Sequence, residues 1–339
     1  MKRNSRIKQW TALVLLALTV GSTEVLAQQD KMYSQYMFNM MALNPAYAGS
    51  RDVLSATGLY RNQWVNVEGA PKTMTVTLDA PINKERVGLG IQLFNDQIGL
   101  QNETGIYASY AFRIKVGERS TLALGLQGGA TSFRWSLSEA VLAPGGGGGD
   151  PAFNQNISKI LPNFGTGVFI SNDKGYVGIS VPQLIANNLS DYNVGDNRAK
   201  QKRHAYLMSG FVIGLGTTLK LKPSLLLKYA DGAPLGMDGN LNLWLNDRVA
   251  IGASYRHNQW STLNNSSGAG NDINDFISDA VVGMVEIQIT DQFRMGYAYD
   301  MMLNGLRQSN IGINSGSHEL MLRYEFGFGK SKILTPRYF

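Results

Sequence analysis

Apolar residues recur at every second position in several segments of this chain. In the segment 318–328, one parity is apolar and carries Leu320, Leu322, Tyr324, Phe326 and Phe328. The other parity is mostly polar or small and carries Glu319, Met321, Arg323, Glu325 and Gly327. The segments 106–116, 248–256 and 292–300 show the same period. Because successive side chains of a strand point to opposite faces, each segment predicts a β-strand with one apolar face.

About fourteen such segments can be placed along the chain, and most of them have the roughly 9–12 residues of a tilted membrane strand. They begin near residues 53, 71, 86, 104, 120, 163, 175, 204, 218, 237, 248, 280, 292 and 317. Strands of soluble proteins are usually only about 5–6 residues long. The lengths therefore favour strands that cross a bilayer.

The connections between these segments sort by length. Those after the even-numbered segments are short, whereas those after the odd-numbered segments are mostly longer, for example 132–162, 181–203, 258–279 and 301–316. Outer-membrane barrels have short periplasmic turns and long extracellular loops. The sequence therefore predicts an all-β, transmembrane outer-membrane β-barrel of about 14 antiparallel strands, with 12 or 16 as alternatives. A soluble sandwich or propeller gives no reason for this sorting.

The polar parities of the predicted strands would line the barrel lumen. They carry the charged residues Arg113, Lys115, Arg248, Arg256, Glu286, Arg294, Asp300, Arg323 and Glu325. A solvated wall with ion pairs and a conduit or peptide-binding cavity are both compatible with such a lumen. Small residues on the same faces leave room for a plug, and the segment Gln28–Ser50 precedes the first strand.

The first 27 residues have the pattern of a signal peptide. A basic stretch is followed by an apolar run from Leu13 to Val20, and small residues at Val25 and Ala27 precede a predicted cleavage before Gln28. The predicted organisation is thus a signal peptide at 1–27 and a periplasmic segment or plug at 28–50. The barrel would span 51–329, and a periplasmic tail 330–339.

Composition agrees with an exported barrel. The chain has 339 residues, 38 of them glycine and 15 tyrosine, and it has no cysteine, which excludes disulfides and cysteine-based zinc sites. Its net charge is +6, but the predicted signal peptide holds four basic residues and one acidic residue, and so contributes half of that charge. We therefore expect no nucleic-acid partner.

Catalytic and metal-binding motifs are not evident. The histidines His204, His257 and His318 are far apart, and the stretch Gly327–Ser331 lacks the earlier glycine of a phosphate-binding loop. Aspartates crowd the segment Asp272–Asp279, which could be a calcium site or a solvated loop, but they do not fit EF-hand spacing. The sequence predicts a protein that is not an enzyme and has no cofactor.

Several motifs resemble one known family. Residues 29–39 read QDKMYSQYMFN and residues 44–50 read NPAYAGS, followed by YRNQW at 60–64 and GAPKT at 69–73. Near the end stand GYAYD at 296–300 and GSHEL at 316–320. The chain resembles the PorP/SprF family of Bacteroidetes outer-membrane proteins over essentially its whole mature length. It departs from the family pattern at Lys31, where proline is common, and in the glycine-rich stretch 144–150.

The resemblance implies a role in the type IX secretion system and its gliding-motility branch. Members are similar outer-membrane barrels associated with periplasmic ring components, and some assist export or surface attachment of large adhesins that carry a C-terminal sorting domain. The implied partners are therefore outer-membrane lipid, the ring components and such a sorting domain. A passive porin or hydrophobic-solute transporter is the alternative that barrel periodicity alone leaves open.

The motif residues are candidates for partner binding, although a structural role in folding the barrel competes at each position. They are Tyr36, Phe38, Asn39, Asn44, Pro45, Tyr47, Gly49, Arg61, Gln63, Trp64, Gly69, Pro71, Tyr299, Asp300, His318 and Glu319. Asn44-Pro45 is a turn signal. Arg61 and Trp64 would form an anchor either at the membrane interface or in the lumen. The pairs 299–300 and 318–319 would close the rim of the last long loop by hydrogen bonds.

Overall fold

The computed structural model describes residues 31–83, 85–139, 156–189, 200–231, 233, 235–257, 280–303 and 316–327. The predicted signal peptide, the glycine run 145–149, the aspartate segment Asp272–Asp279 and the tail 330–339 all lie outside these residues. Among the described residues, no helix is both long enough and apolar enough to cross a membrane.

Within the described residues, fifteen antiparallel strands form a single sheet. Their bounds are β1 Leu54–Asn62, β2 Lys72–Ile82, β3 Val87–Ile98, β4 Gln101–Val116, β5 Ser120–Trp135, β6 Ile157–Ser171, β7 Gly175–Val181, β8 His204–Phe211, β9 Ile213–Leu215, β10 Leu219–Ala230, β11 Gly236–Leu245, β12 Val249–His257, β13 Ala280–Gln288, β14 Phe293–Met302 and β15 Ser317–Phe326. Only Val212 separates β8 from β9, and both strands pair with β10. They are two parts of one pass, so the barrel has fourteen passes.

The sheet closes on itself. The first strand, β1, pairs with the last strand, β15, from Leu54↔Phe326 to Asn62↔His318, while β10 pairs with β11. A closed sheet satisfies the backbone hydrogen bonds that would otherwise be exposed to lipid at an edge. The predicted 14-stranded antiparallel barrel is confirmed.

Most strands begin within three residues of the predicted position. The exception is β6, which begins at Ile157 rather than near 163, because its first residues pair with β5 although they do not alternate between apolar and polar. Ser158 and Lys159, for example, pair with Arg134 and Phe133. Backbone pairing with a long neighbour extends this strand beyond its apolar pattern.

Side chains follow the predicted parity on both faces. Outward residues such as Ile251 and Ile91 are 68% and 48% exposed, whereas inward residues such as Thr75, Thr77 and Asp79 are buried. Two charged residues expected in the lumen, Lys115 and Arg248, are instead exposed. The reason is position, since Lys115 lies next to the last residue of β4 and Arg248 lies in the turn after β11.

The two ends of the barrel differ in their connections. One end, the turn end, carries short links such as Asn246–Arg248. There the Arg248 N–H donates to the Leu245 carbonyl, and the two central residues of that turn, Asn246 and Asp247, both have positive φ, as a type I′ turn requires. The other end, the loop end, carries the long connections, apart from tight links after β3 and β10. Following the rule for outer-membrane barrels, we assign the turn end to the periplasm and the loop end to the exterior.

Candidate functional site

Residues 31–50, here called the luminal segment, lie inside the barrel. Tyr33 reaches Thr75 in the loop-end half of β2, with 2.8 Å between their hydroxyl oxygens. Near the other end, the Gly49 N–H donates to Asp79 Oδ2 over 2.9 Å. The segment therefore runs from the exterior side of the lumen down to the periplasmic side, where β1 begins.

Three short 3-10 turns make the luminal segment compact. They are Tyr36–Phe38, Met40–Ala42 and Pro45–Tyr47. Asn44 caps the third turn, since its Oδ1 accepts from the Ala46 N–H over 2.9 Å, and Pro45 occupies the first position of the turn, where no N–H is needed. The turn signal in the sequence thus marks a capped turn inside the barrel.

The main hydrophobic core of the protein surrounds this segment. Met40, Met41, Ala46 and Tyr47 are at most 3% exposed, and the Tyr47 ring meets Phe169 of β6 edge-on at 5.5 Å between centroids. Phe38 is also buried. Because the outward faces contact lipid, the apolar side chains sheltered from both water and lipid are concentrated in the lumen. The luminal segment is therefore part of the folded core.

Glycines on the inner wall make room for the segment. A Cβ atom on Gly88 would strike the Ala48 carbonyl, one on Gly125 would strike the backbone of Ala46, and one on Gly167 would strike Asn44 Oδ1. We call Gly88, Gly125 and Gly167 the glycine cradle. The segment approaches these glycines too closely for any side chain on the wall at these positions.

Polar contacts of the segment spread around the barrel. Asn39 Oδ1 accepts from Thr77 over 2.9 Å, the Leu43 carbonyl accepts from Ser180 over 2.7 Å, and the Tyr36 hydroxyl donates to Ser224 over 3.3 Å. The segment is thereby bonded to β2, β7 and β10.

A group of six charges, all buried except the partly exposed Lys228, lies in the loop-end half of the lumen. We call it the charge cluster, and its members are Arg61, Lys228, Asp238, Arg256, Asp300 and Glu319. Arg61 contacts Asp300 at 2.6 Å and Glu319 at 3.1 Å, and all three side chains are at most 2% exposed. Strands β1, β14 and β15 thus meet in a chain of ion pairs.

The other half of the charge cluster comes from β10, β11 and β12. Arg256 bridges Asp300 and Asp238 at 3.1 Å each, and Lys228 contacts Asp238 at 3.0 Å. Three cations face three carboxylates, so the cluster is formally neutral. That balance matters because an uncompensated charge is expensive in a low-dielectric interior.

The luminal segment is bound at the centre of this cluster. Glu319 accepts the backbone N–H groups of Ser34 and Gln35 over 2.8 and 2.7 Å. The Ser34 hydroxyl lies 2.6 Å from Arg61 Nη1, 3.1 Å from Arg256 Nη2 and 2.7 Å from Asp300 Oδ1. A hydroxyl that accepts from two guanidinium groups and donates to a carboxylate ties one residue of the segment to strands β1, β12 and β14.

A second set of contacts fixes the segment at the turn end. Arg51 Nη2 contacts Glu325 at 2.6 Å, and Arg113 Nη1 donates to the Gly49 carbonyl over 2.7 Å and pairs with Asp52 at 2.8 Å. Burial opposes the charge on Arg51, but the neighbouring Glu325 carboxylate outweighs it and raises the pKa of Arg51. Both ends of the segment are thus held by charged groups of the wall.

The remaining candidate residues lie near the loop end. Gln63 and Pro71 close the connection between β1 and β2 through a bond from the Gln63 N–H to the Pro71 carbonyl at 2.9 Å. The Gly69 carbonyl accepts from the Gly99 N–H of the next connection over 2.8 Å. The Trp64 N–H donates to Ser317 Oγ over 3.2 Å. These residues connect neighbouring loops.

The expected rim between β14 and β15 has a different arrangement. Tyr299 and His318 pair on the outward face, with ring centroids 5.1 Å apart, and His318 Nδ1 lies 2.6 Å from the Tyr297 hydroxyl. Asp300 and Glu319 point inward and contact Arg61 and the luminal segment instead of closing the loop. Because successive side chains of a strand point to opposite faces, Tyr299 and His318 face outward whereas Asp300 and Glu319 face the lumen.

Several residues of the site were not among the sequence candidates. They are Ser34, Gln35, Lys228 and Asp238. Ser34 and Gln35 belong to the quoted N-terminal motif, and Asp238 has inward parity in β11. The motif and the alternating pattern therefore contain the information from which these three residues could have been chosen as candidates. Among the described residues, no group of three histidine, cysteine or acidic residues is placed to hold a metal ion.

Comparison with solved structures returns other barrels. Omp33 of Acinetobacter baumannii is 9% identical, with a TM-score of 0.44 over 81% of this chain and 98% of that chain. The Pseudomonas putida toluene transporter TodX is 11% identical, with a TM-score of 0.48 over 88% and 95%. The CymD monoaromatic hydrocarbon channel is 11% identical, with a TM-score of 0.48 over 91% and 96%. These likenesses are too distant to bear on function.

Comparison with protein families is decisive. No individual curated protein matches the chain significantly. The family described as type IX secretion system membrane protein PorP/SprF matches residues 25–324, which include every strand apart from the last residues of β15. The match covers the motifs that carry the resemblance, the luminal segment and the charge cluster. The chain belongs to the PorP/SprF family of type IX secretion system membrane proteins.

Proposed function

We propose that this protein aids the export or surface attachment of a large adhesin, by binding the adhesin's C-terminal sorting domain, the periplasmic ring of the secretion machine, or both. The observation that carries the proposal is the occupied lumen. Residues 31–50 are buried between the strands and bonded to the wall at both ends. A barrel filled by its own chain acts through its surfaces, which suits a docking component of a secretion machine.

The same observation bears on the two rival functions. A passive porin or hydrophobic-solute transporter needs a continuous passage, and the luminal segment occupies that space. An enzyme needs reactive groups that are free to meet a substrate, whereas the six charges of the cluster are paired with one another. We therefore propose a non-enzymatic role based on binding.

A deletion strain tests the proposal. We expect one or a few large surface proteins to disappear from the cell surface and to accumulate in the periplasm, while other clients of the type IX system are still exported. The measurement is quantitative proteomics of the surface-shaved and periplasmic fractions. Normal display of every client in the deletion strain would overturn the proposal.

A complementation control separates client docking from general damage to the membrane. The wild-type chain should restore display of the same proteins, and Gly58→Ala should do so as well, because a Cβ on Gly58 meets open space on the outward face. Affinity purification from solubilised outer membrane should then recover the client or ring proteins. Recovery of neither would leave the docking role without support and count against it.

A further inference from the structure

A second group of charges lies in the turn-end half of the lumen, and its carboxylates are already engaged. Glu325 contacts Arg51 at 2.6 Å, and Glu286 contacts Arg294 at 2.9 Å. Asp79 accepts a backbone N–H of the luminal segment and forms no ion pair with the residues that the structure describes. Two of the arginines in this half are thus paired, each with its own carboxylate.

Arg323 of β15 is buried in the same half without a carboxylate partner. The residue is 2% exposed, and its Nε donates to Thr57 Oγ1 over 3.2 Å. Its two Nη atoms make no hydrogen bond with any described residue, yet they retain accessible surface in the lumen, in contrast to the enclosed Nε of Arg61. A buried guanidinium group therefore presents unused donors to the lumen.

A second arginine is the cross-strand neighbour of Arg323. The register of β14 and β15 pairs Arg294 with Arg323, and both side chains point inward. Arg294 uses Nη1 for Glu286 and Nε for Gln288, so its Nη2 has no hydrogen-bond acceptor within the described part of the chain. Like charges directly opposite each other on one face of a sheet destabilise it. An anion between the two guanidinium groups would remove this repulsion.

Two further cations lie close to this arginine pair. Arg294 and Lys222 flank the Trp244 ring, with 5.0 Å from Arg294 Cζ and 4.0 Å from Lys222 Nζ to the ring centroid. Arg51 and Arg294 are both within electrostatic range of Arg323. The same two arginines are within electrostatic range of Lys222. The four cations therefore form one group.

The charges of this group do not balance. Four largely buried cations face three carboxylates, namely Arg51, Lys222, Arg294 and Arg323 against Asp79, Glu286 and Glu325. The two other ion pairs near this end, Arg113–Asp52 and Lys220–Asp247, are each balanced. Lys84 and residues 328–339, which adjoin this end and lie outside the described residues, contain no acidic side chain. One positive charge is therefore left over, whereas the charge cluster at the loop end is neutral.

We infer that a phosphate-sized oxyanion from the periplasm binds between Arg294 and Arg323. Guanidinium groups present planar arrays of N–H donors that match the oxygens of phosphate, and the three unused Nη atoms of this pair supply such donors. The negative charge of the ion balances the leftover positive charge, which is expensive in a buried position. Arg294 is the second residue of β14, beside the periplasmic mouth of the lumen, where a small ion can enter. This inference does not depend on the identity of the client.

Equilibrium dialysis of the full mature chain in detergent tests the site, with radiolabelled inorganic phosphate as the probe at constant ionic strength. We expect the wild type to bind one phosphate per chain. Arg323→Gln should lose roughly tenfold in affinity or more, because it removes charged donors of the ion. The control is Arg119→Gln, which removes one positive charge from the exposed turn between β4 and β5 and should bind as the wild type does.

Unfolding in urea gives a readout that a purely structural role of Arg323 would not produce. In buffer without phosphate, Arg323→Gln should be at least as stable as the wild type, because it removes the leftover charge. Added phosphate should raise the urea midpoint of the wild type and of Arg119→Gln, and should leave that of Arg323→Gln unchanged. If Arg323→Gln does not fold, Arg323→Lys provides the measurement, since it keeps the charge, loses the planar donors and should bind phosphate more weakly than the wild type.

Loss of phosphate binding in the Arg323 variant alone supports the site. Equal losses in Arg323→Gln and Arg119→Gln would show unspecific attraction and overturn the inference. A wild type that binds no phosphate would overturn it as well, and would show that the leftover charge is removed by another route, such as loss of a proton from Lys222. Binding that appears only after truncation of residues 330–339 would assign the place to the terminal carboxylate of the chain itself, and would likewise overturn the inference of a free ion.

Discussion

At the scale of single residues, the lumen depends on paired charges that are largely or fully buried. Glu319 compensates Arg61 and accepts two backbone N–H groups from the luminal segment. Removing one member of a buried pair leaves the other charge without compensation, which typically costs about 3–5 kcal/mol. An exposed pair contributes only about 0–1 kcal/mol. The contribution of an acidic residue to the free energy of unfolding therefore depends on its position in the barrel.

We predict that Glu319→Gln lowers the free energy of unfolding by about 3–5 kcal/mol, because it leaves the cluster with one excess positive charge. Urea titration of the barrel, followed by tryptophan fluorescence in lipid vesicles, measures the change. The control is Asp247→Asn, which breaks the partly exposed Lys220–Asp247 pair at 2.6 Å and should cost at most about 1 kcal/mol. Equal losses in the two variants would contradict a special role for the cluster.

A second prediction at this scale concerns the glycine cradle. In Gly125→Ala, the new Cβ meets the backbone of Ala46, which cannot move without shifting the whole third turn. We expect a loss of about 1–3 kcal/mol, the usual cost of overpacking. The comparison is Gly58→Ala, in which the added methyl meets open space. The two substitutions have the same chemistry, so a similar stability for both would rule out the tight fit.

At the scale of elements, the luminal segment is the part that decides whether the barrel is open. Its three 3-10 turns bury the apolar side chains of the main core, and its ends are bonded to the wall near the exterior and near the periplasm. We therefore expect the wild-type protein to be non-conducting.

Deletion of residues 31–50 tests this expectation. In planar bilayers, the deletion variant should show steady channel openings, whereas the wild type should show none. Replacement of Asn66–Glu68 in the β1–β2 connection by glycines is the control, because it alters a loop and leaves the lumen filled. Steady conductance of the wild-type chain would instead support the porin alternative.

At the scale of the whole molecule, the period of two predicts the barrel because each strand carries its own lipid-facing pattern. Loop lengths predict which end of the barrel is periplasmic, because each length, like each strand pattern, can be read from a short stretch of sequence. The charge cluster is not local: Arg61 meets Asp300 and Glu319 only because β1 pairs with β15. The sequence predicts that residues 299–300 and 318–319 meet at a rim. In the structure, Asp300 and Glu319 have inward parity, and both accept hydrogen bonds from the luminal segment inside the lumen.

The seam between the first and last strands has a consequence for biogenesis. Arg61 lies on one side of that seam and Glu319 on the other, and Ser34 and Gln35 are bonded between them. Closing the last strand onto the first without the luminal segment would leave Glu319 without the two backbone donors of Ser34 and Gln35. We therefore expect ring closure and seating of the luminal segment to be coupled, so that each favours the other during insertion of the barrel.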